Sequence, residues 1–186
     1  MLFEPKMTRD RCTRNVSGRI GPYIGSLVFL VIVPGAVAGW VPYLLSNWRI
    51  QPPLLGSSIG QVVGGVLIAV AVGILVECTW RFAKEGRGTP APFAPVEMLV
   101  VSGFYRYVRN PMYVAVVTVI VGQALFFGSF ILLFYAGFVW LLFHGFVLLY
   151  EEPSLRKKYG SKYEAYRINV RRWWPSIRPW EGSWSD

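Results

Sequence analysis

Residues 111–150 read PMYVAVVTVIVGQALFFGSFILLFYAGFVWLLFHGFVLLY, a stretch without Asp, Glu, Lys or Arg. Only Gly128 and Ser129 separate its two apolar halves, 111–127 and 130–150, and this pair favours a tight turn. A helix rises about 1.5 Å per residue, so roughly 20 residues cross the hydrocarbon core of a bilayer. The stretch therefore predicts a membrane-embedded helical hairpin whose first arm is short for a full span.

Two further apolar blocks precede the hairpin, at 24–45 and 54–76. The chain of 186 residues is 54% hydrophobic and has a mean hydropathy of +0.42, which is more apolar than a typical soluble domain. After the hairpin, SKYE at 161–164 has the pattern of a capping box that begins a short helix. We therefore expect an all-α fold, a polytopic transmembrane helical bundle of about four spans plus a C-terminal interfacial helix.

The Pro/Gly-rich stretch KEGRGTPAPFAP at 84–95 interrupts the helical pattern and divides the chain. Residues 1–96 comprise the N-terminal membrane spans and a cytoplasmic loop. Residues 97–186 comprise the hairpin and a basic, aromatic tail. The aromatic side chains of this tail suit a belt at the membrane interface. They are Tyr163, Tyr166, Trp173, Trp174 and Trp180.

The net charge of +9 is concentrated in segments on one side of the expected spans. Lys and Arg together number five in residues 1–23, five in 77–110 and eight after 150, against one in 46–53 and none at 128–129. This bias predicts a multi-pass integral membrane protein with both termini on the cytoplasmic side. It favours contact with the lipid bilayer, and since no nucleic-acid fold signature is present we expect no nucleic-acid partner.

Three glycines at a spacing of four fall in the second apolar block. Gly56, Gly60 and Gly64 form a double GxxxG pattern, and small residues at this spacing let helix backbones approach closely. The pattern predicts packing of the first span against the second. A homodimer face is the alternative.

The composition excludes several catalytic and metal sites of soluble enzymes. One histidine, His144, and two aspartates near the chain ends leave no Ser-His-Asp triad, and the sequence has neither a P-loop nor a GxGxxG run. Cys12 and Cys78 are the only cysteines, so no CxxC occurs. We therefore expect no metal site built from several His or Cys ligands.

Opposite charges lie at the two ends of the hairpin. Asn110-Pro111 favours the start of a helix whose first amides suit an anion such as a carboxylate, and Arg109 adds positive charge there. At the other end, Glu151-Glu152 follows the apolar stretch and offers a site for a cation. The hairpin brings both ends to one side of the membrane. Together with the neighbouring tyrosine rings, they suit a zwitterionic ligand with an aromatic part.

Five features in this order resemble the isoprenylcysteine carboxyl methyltransferase family: GFYRYVRNPMY at 103–113, the hairpin, the acidic pair, YGSKYEAY at 159–166 and a closing WP. NPMY and LLYEEP are equally similar to the phospholipid N-methyltransferases. The resemblance covers roughly residues 97–175. It implies an integral membrane enzyme with a cytoplasmic active site, in which residues 97–186 bind S-adenosyl-L-methionine.

The resemblance also implies roles for particular residues. By position, the residues that would hold the cofactor are Glu97, Met98, Leu99, Val100, Tyr105, Asn110, Pro111, Met112, Tyr113 and Glu151. The lipid enzymes use both acidic residues, which adds Glu152. Arg109 matches an Arg near the reaction centre, so Arg109 and Glu151 are the expected catalytic residues.

Two positions depart from the carboxyl methyltransferase pattern. Asn110 replaces a His, as it does in the lipid enzymes. Val147 stands where the prenylcysteine enzymes have an Arg that meets the substrate, so an Arg at this position would be expected to improve turnover of a prenylcysteine. His144 lies on the same helical face as Glu151. It is a candidate substrate contact, with a hydrogen-bonded packing role as the alternative.

The implied acceptor is lipid-like or a small amphipathic molecule. A phospholipid amine is favoured, and an isoprenylcysteine-type carboxylate is the other candidate, disfavoured because Val147 offers it no charge. Two alternatives from other classes are a membrane sterol reductase, which binds NADPH and shares a KYG-containing tail, and a non-catalytic membrane protein. Binding of S-adenosyl-L-methionine distinguishes the methyltransferase from both.

Overall fold

The structure is a computed structural model that describes residues 32–54, 56–85 and 99–182, without the side chains of residues 82, 83 and 85. Within these ranges the chain is helical and has no strand, which confirms the expected all-α class for this part. In chain order the elements are α1 (Ile32–Ser46), α2 (Ile59–Glu85), a 3-10 turn at Gly103–Arg106, α3 (Pro111–Phe127), α4 (Phe130–Tyr159) and α5 (Ser161–Asn169).

Two of these helices are long and apolar enough to cross a membrane, α2 over Ile59–Arg81 and α4 over its whole length. Only 22% of the apolar window of each is buried, so neither has the character of a core helix in a soluble protein. α1 and α3 are shorter apolar helices, and residues 24–31 of the first block lie outside the described part. Membrane association is thus supported, whereas four spans and an interfacial position of α5 stay predictions.

α2 and α3 pack closely through two glycines. A Cβ atom on Gly64 would lie 2.5 Å from the carbonyl oxygen of Gly122 and 2.7 Å from the amide nitrogen of Phe126. The expected packing of Gly64 on the first span is therefore wrong, because the close contact joins the second and third apolar blocks. Gly56 precedes α2 with a φ of +64°, so it belongs to a turn and not to a helical GxxxG.

The predicted hairpin between α3 and α4 turns at Gly128, which adopts a left-handed conformation with φ of +70°. A Cβ atom at this glycine would lie 2.5 Å from the carbonyl oxygen of Pro52. The amide of Gln51 donates to the carbonyl of Phe127 at 2.9 Å. The segment after α1 thus closes over the hairpin turn at one end of the bundle. The segment before α3 and the acidic pair of α4 lie at the other end.

α1 and α4 each contain a π-helical segment just ahead of a proline. The segments are Ala36–Trp40 and Val147–Glu151, and they end two residues before Pro42 and Pro153. Proline has no amide hydrogen, and its ring clashes with the carbonyl four residues earlier, which a wider turn relieves. α4 consequently continues beyond the acidic pair to Tyr159. The acidic pair thus lies within the helix and not at its end.

Two predicted helix caps do not form. Gly160 ends α4 and is itself the residue before α5, so Ser161 is already helical and makes no capping bond. Asn110 does occupy the position before α3, but its side chain donates instead to the carbonyl of Arg172 at 3.2 Å. At α5 a glycine occupies the cap position, and before α3 the tail takes the hydrogen bond of the capping side chain.

The tail after α5 lies along the segment that precedes α3. The amide of Arg109 donates to the carbonyl of Arg171 at 2.9 Å, and the amide of Ser176 donates to the carbonyl of Tyr107 at 2.8 Å. These backbone bonds make the tail a structural support for the motif that the sequence singled out. The basic residues of the tail are therefore held against the bundle and do not belong to a separate element on its surface.

The expected interface belt is wrong for two of the five aromatic residues of the tail and stays a prediction for the other three. Tyr163 and Tyr166 are buried, with 2% and 3% of their surface exposed. Trp173 and Trp180 make ring contacts with other aromatic residues of the protein. Of the five residues, Trp174 is the one that stays largely exposed, at 76%. The tail uses its aromatic surface mainly to pack on the bundle.

The contact between α2 and α3 leaves no room for a methyl group. We expect Gly64→Ala to lower the melting temperature of the detergent-purified protein by about 5 °C, because overpacking costs about 1–3 kcal/mol and each kcal/mol shifts a chain of this size by about 2–4 °C. Gly73→Ala is the matched control on the same helix, since a Cβ atom there meets nothing within 4 Å. Equal melting temperatures for the two variants would contradict the contact.

Candidate active site

A cavity of about 90 Å³ lies where α1, α3 and α4 meet the segment before α3. It is lined by Val33, Pro34, Val37, Tyr105, Arg109, Asn110, Met112, Tyr113, Val116, Phe143 and Glu151. α1 contributes only apolar side chains, whereas the opposite charges come from the segment before α3 and from α4. Six residues that the sequence singled out meet in this cavity: Tyr105, Arg109, Asn110, Met112, Tyr113 and Glu151.

Glu151 is the carboxylate among the residues that line the cavity. It is the last residue of the π-helical segment of α4, and its Oε2 accepts a hydrogen bond from the Tyr113 hydroxyl at 2.9 Å. The Tyr113 ring lies 4.7 Å from the Phe143 ring, between centroids. A carboxylate beside two aromatic rings is the arrangement that attracts a cation such as an ammonium or a sulfonium.

Glu152 turns away from the cavity, because consecutive helical residues point about 100° apart. Its Oε1 accepts from the Arg109 guanidinium at 2.9 Å and from Arg172 Nε at 2.6 Å, and its Oε2 accepts from Arg172 at 2.9 Å. The side chains of Arg109 and Glu152 are only 9% and 8% exposed. The two adjacent carboxylates therefore have different surroundings, one at the cavity and one in a buried ion pair.

Arg109 brings a positive charge to the edge of the cavity. Its NH1 donates to Glu152 and, at 3.3 Å, to the hydroxyl of Tyr163. Its Nε is buried and has no hydrogen-bond partner within the described ranges. The guanidinium is thus fixed through NH1, while the N–H at Nε stays available as a donor. Such a donor suits an anionic group of a ligand.

Tyr105 lines the cavity and is fixed by packing and by a hydrogen bond to its backbone. It is 7% exposed and packs with Val100 and Cys78, and its carbonyl accepts from the Tyr166 hydroxyl at 2.7 Å. Burial raises the pKa of Tyr105 well above its usual range, so the phenol stays protonated at neutral pH. Its role at the cavity is that of a neutral ring and hydroxyl.

The other expected cofactor residues do not line the cavity. Leu99 packs on the aromatic cluster of α5, and Val100 is buried beside Tyr105. Pro111 begins α3 and is buried. Glu97 and Met98 lie outside the described residues.

The two expected substrate residues are also placed elsewhere. Nδ1 of His144 accepts from Nε1 of Trp173 at 3.0 Å, and its ring stacks on Trp140 at 5.1 Å, which is the packing role given as the alternative. Val147 is 1% exposed within the π-helical segment. A side chain as long as Arg has no room at this packed position, so Val147→Arg is no longer expected to improve turnover of a prenylcysteine.

A larger cavity of about 540 Å³ adjoins the other side of the 3-10 turn. Its lining combines two arginines, Arg81 and Arg106, with the rings of Tyr107 and Trp180. Gly103 sits at its wall with a φ of +53°, and a Cβ atom there would collide with the Arg81 guanidinium. This cavity offers flat aromatic faces and hydrogen-bond donors next to the turn that carries Tyr105.

Phe143 and the apolar wall of α1 were not found from the sequence, and the pairing of Arg172, a candidate contact for an acceptor anion, with Glu152 was not found either. Phe143 lies eight residues before Glu151, which in a regular helix leaves the two side chains about 80° apart. The π-helical segment between them changes this angle, so the spacing alone would not have identified Phe143. Arg172 and α1 carry no local signal, because their places depend on how the tail and the first helix fold onto the bundle. Within the described part of the chain, no three His, Cys, Asp or Glu side chains are grouped to hold a metal ion.

The comparisons with known proteins agree with this geometry. Residues 59–162 match a family model described as phospholipid methyltransferase (PEMT), and this range is more than half of the chain. No match was found among curated proteins or among solved structures. The matched range runs from α2 into α5 and contains every residue of the smaller cavity except those of α1. It gives no support to the sterol reductase alternative, and it shows that the chain belongs to the phospholipid methyltransferase family.

Proposed function

We propose that this protein is an integral membrane, S-adenosyl-L-methionine-dependent methyltransferase that acts on a lipid-like amphipathic acceptor. The observation that carries the proposal is the composition of the smaller cavity. It combines the carboxylate of Glu151, the guanidinium of Arg109 and two aromatic rings with an apolar wall from α1. A site of this kind can bind a charged, methyl-donating cofactor beside a hydrocarbon chain.

The residues of the cavity fit the methionine end of this cofactor. Glu151 suits its ammonium group, and the buried Nε of Arg109, which lacks a partner within the described ranges, suits its carboxylate. The cavity is smaller than the 300–1,000 Å³ or so of a whole small-molecule site. We therefore assign the adenosine end to Tyr105 and the larger cavity beside the 3-10 turn. When bound, the cofactor supplies a methyl group on a sulfonium.

The chain contributes alignment and exclusion of water to the transfer. Tyr113 fixes one oxygen of Glu151, and Glu152 fixes the guanidinium of Arg109, so both charges are oriented before a ligand arrives. The apolar side chains of α1 keep water from the reacting end.

A phospholipid amine is the acceptor that the charges favour. The carboxylate at the cavity attracts a cationic headgroup and repels a prenylcysteine carboxylate. The apolar wall of α1 suits the hydrocarbon part of a lipid. The family match supports methyl transfer in a membrane and leaves the acceptor open.

We also propose a multi-pass topology with both termini and the active site on the cytoplasmic side. The basic segments 77–110 and 151–178 adjoin the end of the bundle that holds the cavity, and the single basic residue of 46–53, Arg49, adjoins the other end. This distribution agrees with the positive-inside bias. We do not extend the proposal to a homodimer, because Gly64 is already used in the contact with α3.

The first prediction from this function concerns the cofactor. We expect S-adenosylhomocysteine to raise the melting temperature of the purified protein, because a ligand that binds only the folded form stabilises it. Glu151→Gln and Tyr113→Phe should each weaken the apparent affinity in this assay, the first by about tenfold or more, since a charged hydrogen bond contributes about 1.5–3 kcal/mol.

Glu164→Gln is the matched control for the cofactor assay. It makes the same substitution in α5, where the carboxylate pairs with Arg156 and Arg167 and does not line the cavity. It should leave the effect of S-adenosylhomocysteine unchanged. Stabilisation by NADPH alone would replace the methyltransferase proposal with the reductase alternative.

The second prediction concerns the acceptor. Purified protein is incubated with S-adenosyl-L-methionine labelled in its methyl group, and products are extracted into organic solvent. With vesicles that contain phosphatidylethanolamine we expect label in the lipid phase, and much less with a prenylcysteine, because Glu151 repels a carboxylate. Efficient labelling of the prenylcysteine, or label found only in protein, would count against a lipid amine.

The third prediction concerns topology. In a variant without Cys12 and Cys78, we expect Ser58→Cys to react with a membrane-impermeant maleimide from the non-cytoplasmic side and Lys162→Cys from the cytoplasmic side. Both positions are exposed, whereas Ser129 at the hairpin turn is only 1% exposed and would make a poor probe. Labelling of both cysteines from one side would overturn the topology.

A further inference from the structure

α1 has two backbone carbonyls that lack the partner that a regular α-helix would give them. Ala38 lies four residues before Pro42, which has no amide hydrogen, so its carbonyl lacks the usual partner. The amide of Val41 donates to Ala36 across the π-helical segment, which leaves the carbonyl of Val37 without it. In an apolar environment such groups are costly unless donors come from elsewhere.

Both donors are side chains of other helices. Gln123 of α3 donates through Nε2 to the carbonyl of Ala38 at 2.5 Å, and Tyr135 of α4 donates through its hydroxyl to the carbonyl of Val37 at 2.9 Å. Gln123 is 7% exposed, and its Oε1 has no partner in the described part of the chain. Within the described part of the chain, the bond to α1 is therefore the one side-chain hydrogen bond of Gln123.

The segment held in this way forms a wall of the smaller cavity. Val37 lines the cavity with Val33 and Pro34, which lie one turn earlier on the same helix face. Gln123 and Tyr135 are not among the lining residues. They do not touch a ligand there, and their side-chain hydrogen bonds within the described ranges both go to α1.

We propose that Gln123 and Tyr135 are positioning residues, which hold the π-helical segment of α1 against α3 and α4. They thereby fix the position of the apolar wall that the hydrocarbon part of the acceptor contacts. The identity of that ligand rests on the proposed function, whereas the attachment of α1 does not. Without these donors α1 moves, and the acceptor loses contacts while the side of the cavity that carries Glu151 is unchanged. The expected signature is a raised KM for the acceptor with little change in kcat.

The attachment is tested by a thermal double-mutant cycle between Pro42→Ala and Gln123→Met. Pro42→Ala supplies the missing amide inside α1, so the carbonyl of Ala38 no longer needs Gln123. We expect Gln123→Met to lower the melting temperature by about 5 °C in the wild-type chain and by less than half as much in the Pro42→Ala chain. Equal losses in both would overturn the proposal.

Thr118→Val is the matched control on α3. It also removes a polar group, but the Thr118 hydroxyl donates only to the carbonyl of Val114 in its own helix. We expect it to show the same small effect with and without Pro42→Ala. Coupling between Pro42→Ala and Thr118→Val as large as that with Gln123→Met would overturn the proposal, because the cycle would then report a general softening of the bundle.

The position of the wall is measured by spin labels that need no ligand. Ile32→Cys on α1 and Leu142→Cys on α4 are exposed positions next to cavity residues, and the native cysteines are removed. The double variant Gln123→Met, Tyr135→Phe should broaden or lengthen the distance distribution, and Thr118→Val should not. An unchanged distribution would overturn the proposal whether or not the protein transfers methyl groups.

The functional consequence is measured with phosphatidylethanolamine as the acceptor. We expect the double variant to raise the KM for this lipid by about tenfold and to change kcat by less than about twofold, while S-adenosylhomocysteine stabilises it as it does the wild type. A fall in kcat at unchanged KM would assign the two residues to chemistry and overturn the proposal. If the wild-type protein transfers no methyl group, the proposed function fails, and the thermal cycle and the distance measurement decide the role of Gln123 and Tyr135.

Discussion

The site depends on one buried carboxylate, that of Glu152, which joins three distant parts of the chain. Glu152 belongs to α4, Arg109 to the segment before α3, and Arg172 to the tail. Removal of one partner from such a buried pair costs about 3–5 kcal/mol, because the remaining charge is left uncompensated. The pairing therefore requires the tail and the segment before α3 to close over α4. This closure places Arg109 at the cavity and, through the helix, fixes the direction in which Glu151 points.

Two prolines act on the cavity through the helices that contain them. Each follows a π-helical segment, and each segment shifts the positions of the side chains that follow it. In α4 the segment ends at Glu151, the residue that faces the cavity. In α1 the segment carries Val37, whose carbonyl is bound by α4. The charged side and the apolar side of the cavity thus both depend on irregular turns that a regular helix would not provide.

The sequence predicted local features better than tertiary contacts. The hairpin, its turn at Gly128 and the grouping of Tyr105, Arg109, Tyr113 and Glu151 follow from turn chemistry, helix spacing and the family resemblance. The partner of Gly64 and the burial of the aromatic tail did not follow. In a membrane protein, helix faces that meet lipid and faces that meet protein are both apolar, so hydrophobic periodicity does not identify the packing face. The tail combines basic and aromatic residues, which suit an interface and an ion-paired core equally well.

The different surroundings of Glu151 and Glu152 follow from helix geometry. Two consecutive residues of a helix point about 100° apart, so two adjacent carboxylates cannot both face one small ligand. One of them needs another partner, and a carboxylate buried without cations would be unstable. Here Arg109 and Arg172 supply those cations, and Arg109 is in turn oriented by the carboxylate that it neutralises. In the acidic pair, Glu151 therefore serves the ligand and Glu152 serves the arginine beside the ligand. Loss of either carboxylate would impair the site for a different physical reason.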